Sequence, residues 1–126
     1  MINKTAIIVG GGPAGAACAW RLKAAGIDTL IIDKKTFPRM KLCAGWVTPQ
    51  VFKLLQVPPR DYPHSIIEFN RLTCYFRGLR VPVRTRQYSI RRYEFDKWLL
   101  KRSGVPAVRH AVQTIRKDSG HFVIDD

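Results

Sequence analysis

A glycine-rich turn near the amino terminus constrains the fold of this chain more than any other sequence feature. The turn, Gly10-Gly11-Gly12-Pro13-Ala14-Gly15, follows the apolar run Thr5 to Val9, which is typical of a strand buried on both faces of a parallel sheet. Helix-forming residues continue from Pro13 to Ala25, and a second buried-type strand spans Thr29 to Ile32. This order of strand, tight turn, helix and strand predicts a Rossmann-like βαβ unit.

The spacing of the glycines within the turn predicts a dinucleotide-binding site. Gly10 permits the tight turn, Gly12 lets a diphosphate approach the backbone, and Gly15 lets the helix pack close to the sheet. The amino terminus of the helix offers free N–H groups to the diphosphate. Asp33 ends the second strand, where its carboxylate can accept hydrogen bonds from ribose hydroxyls and disfavours the 2′-phosphate of NADP. NAD and FAD share the same ADP half, so the residues of this unit leave both open.

Two further segments resemble a known family of flavoproteins. The loop Phe37-Pro38-Arg39-x-Lys41-x-Cys43-Ala44-Gly45-Trp46 and the segment Arg92-Tyr93-Glu94-Phe95-Asp96-x-x-Leu99 are similar to segments of the geranylgeranyl reductase group. The fold of that group is similar to that of p-hydroxybenzoate hydroxylase and, more distantly, to that of flavin-dependent halogenases. The resemblance covers most of the chain. It implies FAD as the cofactor and reduction of an isoprenoid C=C bond as the reaction.

The resemblance also implies roles for individual residues. Cys43 is the predicted catalytic residue; the alternative is a small residue that fits under the flavin. Arg92 is similar to an arginine that contacts FAD in related hydroxylases, with Arg91 as the alternative counterpart. No metal site is predicted, and His64, His110 and His121 are assigned no role. The predicted cofactor-binding residues are Gly10, Gly12, Pro13, Ala14, Gly15, Asp33, Lys34, Arg39, Lys41, Cys43, Ala44, Gly45 and Arg92.

The predicted fold class is α/β, with a Rossmann-like βαβ unit and an inserted antiparallel β segment. We expect one partial FAD-binding domain over residues 1–126 that divides into four parts: the βαβ glycine motif at 1–33, a flavin-proximal loop and helix at 34–64, the inserted β segment at 65–92, and a helix with a β meander at 93–126. Two helices are expected: one from Pro49 to Leu55, capped by Thr48 and ended by Pro58 and Pro59, and one from Tyr93 to Arg102. Between them we expect β structure from Ser65 to Arg91, with a turn at Gly78 and an edge strand at Pro82. The remaining expected strands are Ala107–His110, Val112–Ile115 and His121–Ile124.

The charge balance favours anionic partners. The chain has 22 Lys and Arg residues against 9 Asp and Glu, a formal net charge of +13, which attracts phosphates and acidic lipid headgroups. We therefore expect an isoprenoid or phospholipid substrate and peripheral membrane contact, whereas charge alone does not favour nucleic acid. A strand-like run follows the first residues and no apolar run has the length of a membrane span, so the cytoplasm is the expected location. The three cysteines predict no disulfide framework, and Cys18 and Cys74 are expected to be buried.

The sequence is compatible with three hypotheses about the activity. Members of the reductase group are usually more than twice as long, and their later Gly-Asp motif and substrate-binding sheet are not found in these 126 residues. We therefore expect an amino-terminal part of a reductase that is catalytically incomplete, with an exposed sheet edge near residues 112 to 124 that favours homo-oligomers. A flavin-dependent monooxygenase of the hydroxylase type and a non-catalytic dinucleotide-binding fragment are the alternatives.

Overall fold

The computed structural model describes residues 2–125 and divides them into two compact units. The first unit runs up to Arg39 and resumes at Asp96, and the second unit is Met40–Phe95. In chain order the elements are β1 (Ala6–Val9), α1 (Pro13–Ala24), β2 (Thr29–Asp33), β3 (Trp46–Val47), α2 (Pro49–Leu54), a 3₁₀ turn (Pro59–Asp61), β4 (Ile66–Phe76), β5 (Leu79–Ile90), α3 (Arg92–Ser103), β6 (Ala107–Arg109), β7 (Ile115–Asp118) and β8 (His121–Ile124).

The first unit contains the predicted βαβ arrangement. Its parallel sheet has the strand order β1-β2-β6, with Ile8 beside Ile31 and Ile32 beside Val108. Because β2 lies between two strands and under α1, its residues from Thr29 to Ile32 are all buried. Ile31 is fully buried and lies in a core with Ala19 of α1. The predicted α/β fold class is therefore confirmed.

The second unit is an antiparallel sheet packed on aromatic side chains. Its strand order is β3-β5-β4, and β4 and β5 form one long hairpin that turns at Arg77-Gly78. Phe52 of α2 is 2% exposed and lies 5.4 Å, ring centroid to ring centroid, from Tyr88 of β5. Tyr62 and Phe95 complete this cluster at centroid distances of 6.2 and 6.5 Å from Phe52.

The expected ends of the helix α2 are wrong in two respects. Thr48 precedes the helix, but its backbone oxygen, not its hydroxyl, accepts a hydrogen bond from the N–H of Val51. The helix ends before Pro58, because Gln56 adopts the left-handed conformation with φ 55°. The N–H of Val57 then donates to the carbonyl of Phe52, which is the hydrogen bond of a Schellman motif.

The expectation that Pro82 marks an edge strand also needs correction. Pro82 lies in β5, which is the middle strand of its sheet. However, β3 pairs with β5 only at Tyr88 and Ser89, so at Pro82 the described residues supply a neighbour on one side alone, Thr73 of β4. Proline is tolerated because β5 is locally an edge there.

The expected strand Val112–Ile115 is wrong, since β7 begins only at Ile115. The turn at Ser119 and Gly120, with φ values of 46° and 90°, places Asp118 directly opposite His121 and so sets the register of the hairpin. The two strands β7 and β8 form a two-stranded sheet of their own, and neither pairs with a further strand among residues 2–125, so the expected sheet edge lies on this hairpin.

The segment before β7 is held by a side chain instead. The N–H groups of Gln113 and Thr114 donate to the carboxylate of Asp125, which also lies 2.6 Å from Nε2 of His110. These N–H groups therefore take no part in strand pairing among the described residues. His110, which the sequence left without a role, has a structural one.

The expected burial of two cysteines is wrong as well. Cys18 is exposed on α1, whose buried positions are Ala16 and Ala19. Cys74 is exposed on β4, opposite Val81 in a part of the hairpin where the side chains remain open to solvent. None of the helices in residues 2–125 is long and apolar enough to cross a membrane.

Candidate dinucleotide-binding site

The glycine turn joins β1 to α1 and requires glycine at two positions, at Gly10 for its backbone conformation and at Gly15 for lack of space. Gly10 has φ +110°, a conformation that L side chains rarely adopt, and its N–H donates to the carbonyl of Ile32 at 2.7 Å. A Cβ atom at Gly15 would lie 1.9 Å from the carbonyl oxygen of Gly10. The glycines at these positions therefore allow the helix to start immediately above the end of β1.

The amino terminus of α1 carries no anionic cap of its own. Gly12 is the N-cap residue and supplies no side-chain hydrogen bond, and the first turn contains no acidic residue. The carbonyl of Gly12 accepts the N–H of Ala16 at 2.9 Å, while the N–H groups of the preceding helical residues, Ala14 and Gly15, have no acceptor within the helix. Such a terminus, with its partial positive charge, fits a diphosphate.

Asp33 connects the end of β2 to the glycine turn. Its Oδ2 accepts the N–H of Gly11 at 2.7 Å, and its Oδ1 accepts the N–H of Lys35 at 2.8 Å. The carboxylate is thereby fixed beside the turn, with acceptor capacity left over. Lys34, the next predicted site residue, is exposed.

Arg39 lies against the same turn. A Cβ atom at Gly12 would lie 3.3 Å from its Nη2, and its guanidinium carbon is 5.0 Å from the centroid of the Phe37 ring. Nη2 is also 3.5 Å from Oδ2 of Asp96, whose side chain is fully buried. The Nε atom of Arg39 is buried and has no hydrogen-bond partner among the described residues. The structure thus brings the Arg39 guanidinium, which has hydrogen-bonding capacity left at Nε, to the end of α1 where a diphosphate is predicted to bind.

Three residues of this site were not predicted from the sequence. Gly11 donates to Asp33, and Phe37 lies under Arg39 and within 3.2 Å of a Cβ position at Gly11. Asp96 stands in the Arg-x-x-Phe-Asp segment that carried the resemblance, but no role was assigned to it. A buried carboxylate needs a cationic partner. The acidic residue in this segment was therefore the signal that could have pointed to a pair with Arg39.

The other predicted residues lie in the second unit. Lys41, Cys43 and Ala44 are exposed, and Gly45 is buried with φ +70°. A Cβ atom at Gly45 would lie 1.8 Å from the carbonyl oxygen of Ile90, so this glycine is needed for the backbone itself. The N–H of Gly45 donates to Sγ of Cys43 at 3.4 Å, and Arg92 is half-buried at the start of α3. Roles for these residues at a cofactor stay predictions.

Comparison with known proteins identifies related sequences and folds. The family described as an NAD(P)-binding Rossmann-like domain matches residues 8–54. Over 123 residues the chain is 28% identical to the geranylgeranyl diphosphate reductase of Rhodobacter capsulatus. The aligned region is 94% of this chain and 31% of that protein. The chain therefore spans about a third of the length of that relative.

Solved structures show the same fold. A geranylgeranyl bacteriochlorophyll reductase-like protein from Thermoplasma acidophilum superposes with a TM-score of 0.82 at 20% identity, over 94% of this chain and 33% of that one. A flavin-dependent brominase superposes with a TM-score of 0.78 at 21% identity, over 95% of this chain and 32% of that one. The predicted resemblance to the geranylgeranyl reductase group and the Rossmann-like fold are confirmed by these comparisons together, and the flavin-dependent neighbour fits the prediction of FAD as the cofactor.

Proposed function

We propose that this chain forms the ADP-binding part of an FAD-dependent oxidoreductase that reduces a C=C bond of an isoprenoid. The observation that supports the proposal is the hydrogen bond from the N–H of Gly11 to Asp33, which holds a carboxylate suited to ribose hydroxyls beside a helix terminus that lacks an anionic cap. Both halves of an adenosine diphosphate are matched at one place.

Different residues of the first unit would bind different parts of the cofactor. The N–H groups of Ala14 and Gly15 would donate to the diphosphate, and Arg39, whose charge is partly balanced by Asp96, would add guanidinium donors. Asp33 would accept the ribose hydroxyls. When bound, the flavin supplies the hydride chemistry, while the protein supplies binding and orientation.

The substrate class is supported by sequence and by charge. One relative that covers 94% of this chain is a geranylgeranyl diphosphate reductase, and the net charge of +13 favours a phosphorylated substrate. Cys43 lies in the loop that resembles the reductase group and is exposed, as a thiol that meets a substrate must be.

A flavin-dependent monooxygenase is the second candidate. The similarity to a flavin-dependent brominase, at a TM-score of 0.78, favours keeping it, because both kinds of enzyme share this fold. The third candidate is a dinucleotide-binding module without a reaction of its own.

The binding part of the proposal is tested by titrating the purified chain with FAD and following the quenching of flavin fluorescence. Gly12→Val should abolish binding and leave the far-UV circular dichroism unchanged, because the side chain would occupy the approach of the diphosphate. Ala24→Val, at an exposed position in the last turn of α1, is the matched control and should bind FAD like the parent. Equal binding by Gly12→Val and the parent would contradict the site.

The reaction is tested with FAD, a chemical reductant and geranylgeranyl diphosphate, with and without oxygen. A product that gains hydrogen in the absence of oxygen supports the reductase. A product that requires oxygen supports the monooxygenase instead. Flavin binding without either product is the result expected of a catalytically incomplete part of the enzyme, and sustained turnover by this chain alone would contradict that expectation.

A further inference from the structure

Asp96 is the only charged residue that is buried within residues 2–125. It lies in the second turn of α3, and its exposed fraction is 0%. Taking a carboxylate out of water is costly, and apolar side chains of similar volume often stabilise a protein interior as well as a buried ion pair does. A charged residue at this position therefore favours a role beyond stability.

The cation that compensates Asp96 is Arg39. Nη2 of Arg39 lies 3.5 Å from Oδ2 of Asp96, and the Arg39 side chain is 18% exposed. The chain leaves the first unit after Arg39 and re-enters it at Asp96, so this ion pair joins the two points at which the insertion begins and ends. Both partners therefore belong to the compact unit that also contains the glycine turn.

The Arg39 guanidinium is held against the glycine turn. Its carbon atom lies 5.0 Å from the centroid of the Phe37 ring, and its Nη2 atom lies 3.3 Å from the position that a Cβ atom at Gly12 would occupy. Gly12 is the N-cap residue of α1, where the diphosphate is proposed to bind. The Nε atom is buried and has no hydrogen-bond partner among the described residues. Asp96 and Phe37 thus orient the guanidinium without using all of its donors.

We propose that Asp96 is a positioning residue for the cofactor diphosphate, which it serves by holding the Arg39 guanidinium against Gly12. The inference rests on the proposed function, because it requires a diphosphate at the amino terminus of α1. The planar fork of a guanidinium matches the oxygens of a phosphate. A guanidinium that is oriented beforehand loses less side-chain freedom when the ligand binds, and affinity rises accordingly.

The alternative is that Asp96 competes with the diphosphate for the charge of Arg39, and the geometry argues against it. The distance of 3.5 Å between Nη2 and Oδ2 is longer than the ~2.7–2.9 Å of a strong charged hydrogen bond, so Arg39 keeps donors for a phosphate. Without the carboxylate, a guanidinium that is only 18% exposed would carry an unpaired charge. Because solvent is within reach, the guanidinium would leave the turn, and the diphosphate would lose a partner.

The test measures the binding of ADP to the whole purified chain by NMR titration, with adenosine as the probe that lacks the diphosphate. Asp96→Asn and Arg39→Gln should each weaken ADP binding by about tenfold, the lower end of the range for a hydrogen bond to a charged group. Adenosine binding should stay unchanged in both variants, because neither residue is proposed to contact the nucleoside. The double variant should bind ADP no more weakly than Arg39→Gln alone, since Asp96 acts through Arg39.

Ser103→Ala is the matched control, because it removes another buried polar group from α3. The Ser103 hydroxyl donates to the carbonyl of Leu100 at 2.6 Å and accepts the N–H of Val105 at 3.2 Å. The residue is 2% exposed. Its replacement should lower Tm and leave the ADP affinity like that of the parent, whereas Asp96→Asn should lose ADP affinity.

Several results would overturn the positioning role. Tighter ADP binding by Asp96→Asn would show competition for Arg39, and additive losses in the double variant would show that the two residues act independently. Equal losses for ADP and adenosine, or the same loss in Ser103→Ala, would show that Asp96 only supports the fold. Unchanged ADP binding by Asp96→Asn would refute the positioning role and leave the proposed function intact, whereas a parent chain that binds neither FAD nor ADP would refute both.

A second measurement, on the unaltered chain, tests the inference even if Asp96→Asn does not fold. The Nε–Hε signal of Arg39, assigned through its own side-chain correlations, should report a side chain that is rigid on the picosecond-to-nanosecond timescale before any ligand is added. The side chain of Arg60, which is 86% exposed, is the mobile reference. ADP should shift the Arg39 signal, and adenosine should not. An Arg39 side chain as mobile as that of Arg60, or a signal that ADP does not shift, would contradict positioning by Asp96.

Discussion

Replacing Gly15 by alanine should damage the fold, although it adds only one methyl group. The added Cβ would lie 1.9 Å from the carbonyl oxygen of Gly10 and 3.2 Å from Cγ2 of Ile8. Carbon–oxygen contacts are seldom shorter than about 3.3 Å, so α1 and the turn would have to separate by roughly 1.4 Å. Overpacking costs about 1–3 kcal/mol or more, and the higher helix propensity of alanine returns at most ~1 kcal/mol. We expect the free energy of unfolding to fall by about 2 kcal/mol.

Gly12→Ala is the matched comparison, because it adds the same methyl group one helical turn earlier. Its Cβ would meet only Nη2 of Arg39, at 3.3 Å, and the end of that flexible side chain can move. Thermal unfolding followed by circular dichroism should show Gly15→Ala lower in Tm by about 8 °C, at ~4 °C for each kcal/mol. Gly12→Ala should unfold like the parent but bind FAD more weakly.

Three results from these two variants would contradict the structure of the turn. A Tm for Gly15→Ala equal to that of the parent would show that α1 does not rest on the Gly10 carbonyl as closely as the structure has it. An equal loss of Tm in Gly12→Ala would show that Arg39 cannot yield. Unchanged FAD binding in Gly12→Ala would mean that the diphosphate does not pass this position.

Three further predictions concern single side chains. Asp33→Ala should weaken FAD binding by about tenfold to a hundredfold, the range for a hydrogen bond to a charged group; an unchanged Kd would place the ribose elsewhere. In an active form of the protein, Cys43→Ser should keep FAD and lose reductive turnover, and full turnover would assign Cys43 to packing. Hydrogen bonds from the Thr114 backbone and from His110 hold the pKa of Asp125 well below its ordinary value of 3.8, so its stabilisation of residues 110–114 should be present above that value and lost as the pH falls through the lowered pKa. The amide chemical shifts of Gln113 and Thr114 should follow this titration and lose it in Asp125→Asn.

The sequence predicted those parts of the fold whose signals are local. The strand β1, the turn, α1 and β2 each carry their pattern within a few residues, and all four lie where expected, to within one residue. The incorrect predictions concern positions whose structure is set by tertiary contacts or by a conformation without a sequence signal. Gln56 ends α2 in a left-handed conformation that carries no glycine signal, and the edge character at Pro82 depends on how short β3 is.

The candidate site divides in the same way. The glycines and Asp33 follow from a spacing along the chain, whereas the Arg39–Asp96 pair joins a loop to α3 across the inserted sheet segment. No periodicity reports such a pair, and only the resemblance placed both residues in notable segments. The role of Gly45 was hidden for another reason, because its requirement comes from the Ile90 carbonyl of a neighbouring segment.

Asp33 is fixed before any ligand arrives, and this limits which dinucleotides the site accepts. Two N–H bonds, from Gly11 and Lys35, leave part of its roughly four lone-pair positions for ribose hydroxyls. A 2′-phosphate would bring like charge to this carboxylate, and turning the carboxylate away would leave the Gly11 N–H unsatisfied, at a cost of about 1–3 kcal/mol. NAD should therefore displace bound FAD in competition, while NADP should be weaker by about tenfold or more. Equal displacement by the two would show that Asp33 does not face the ribose.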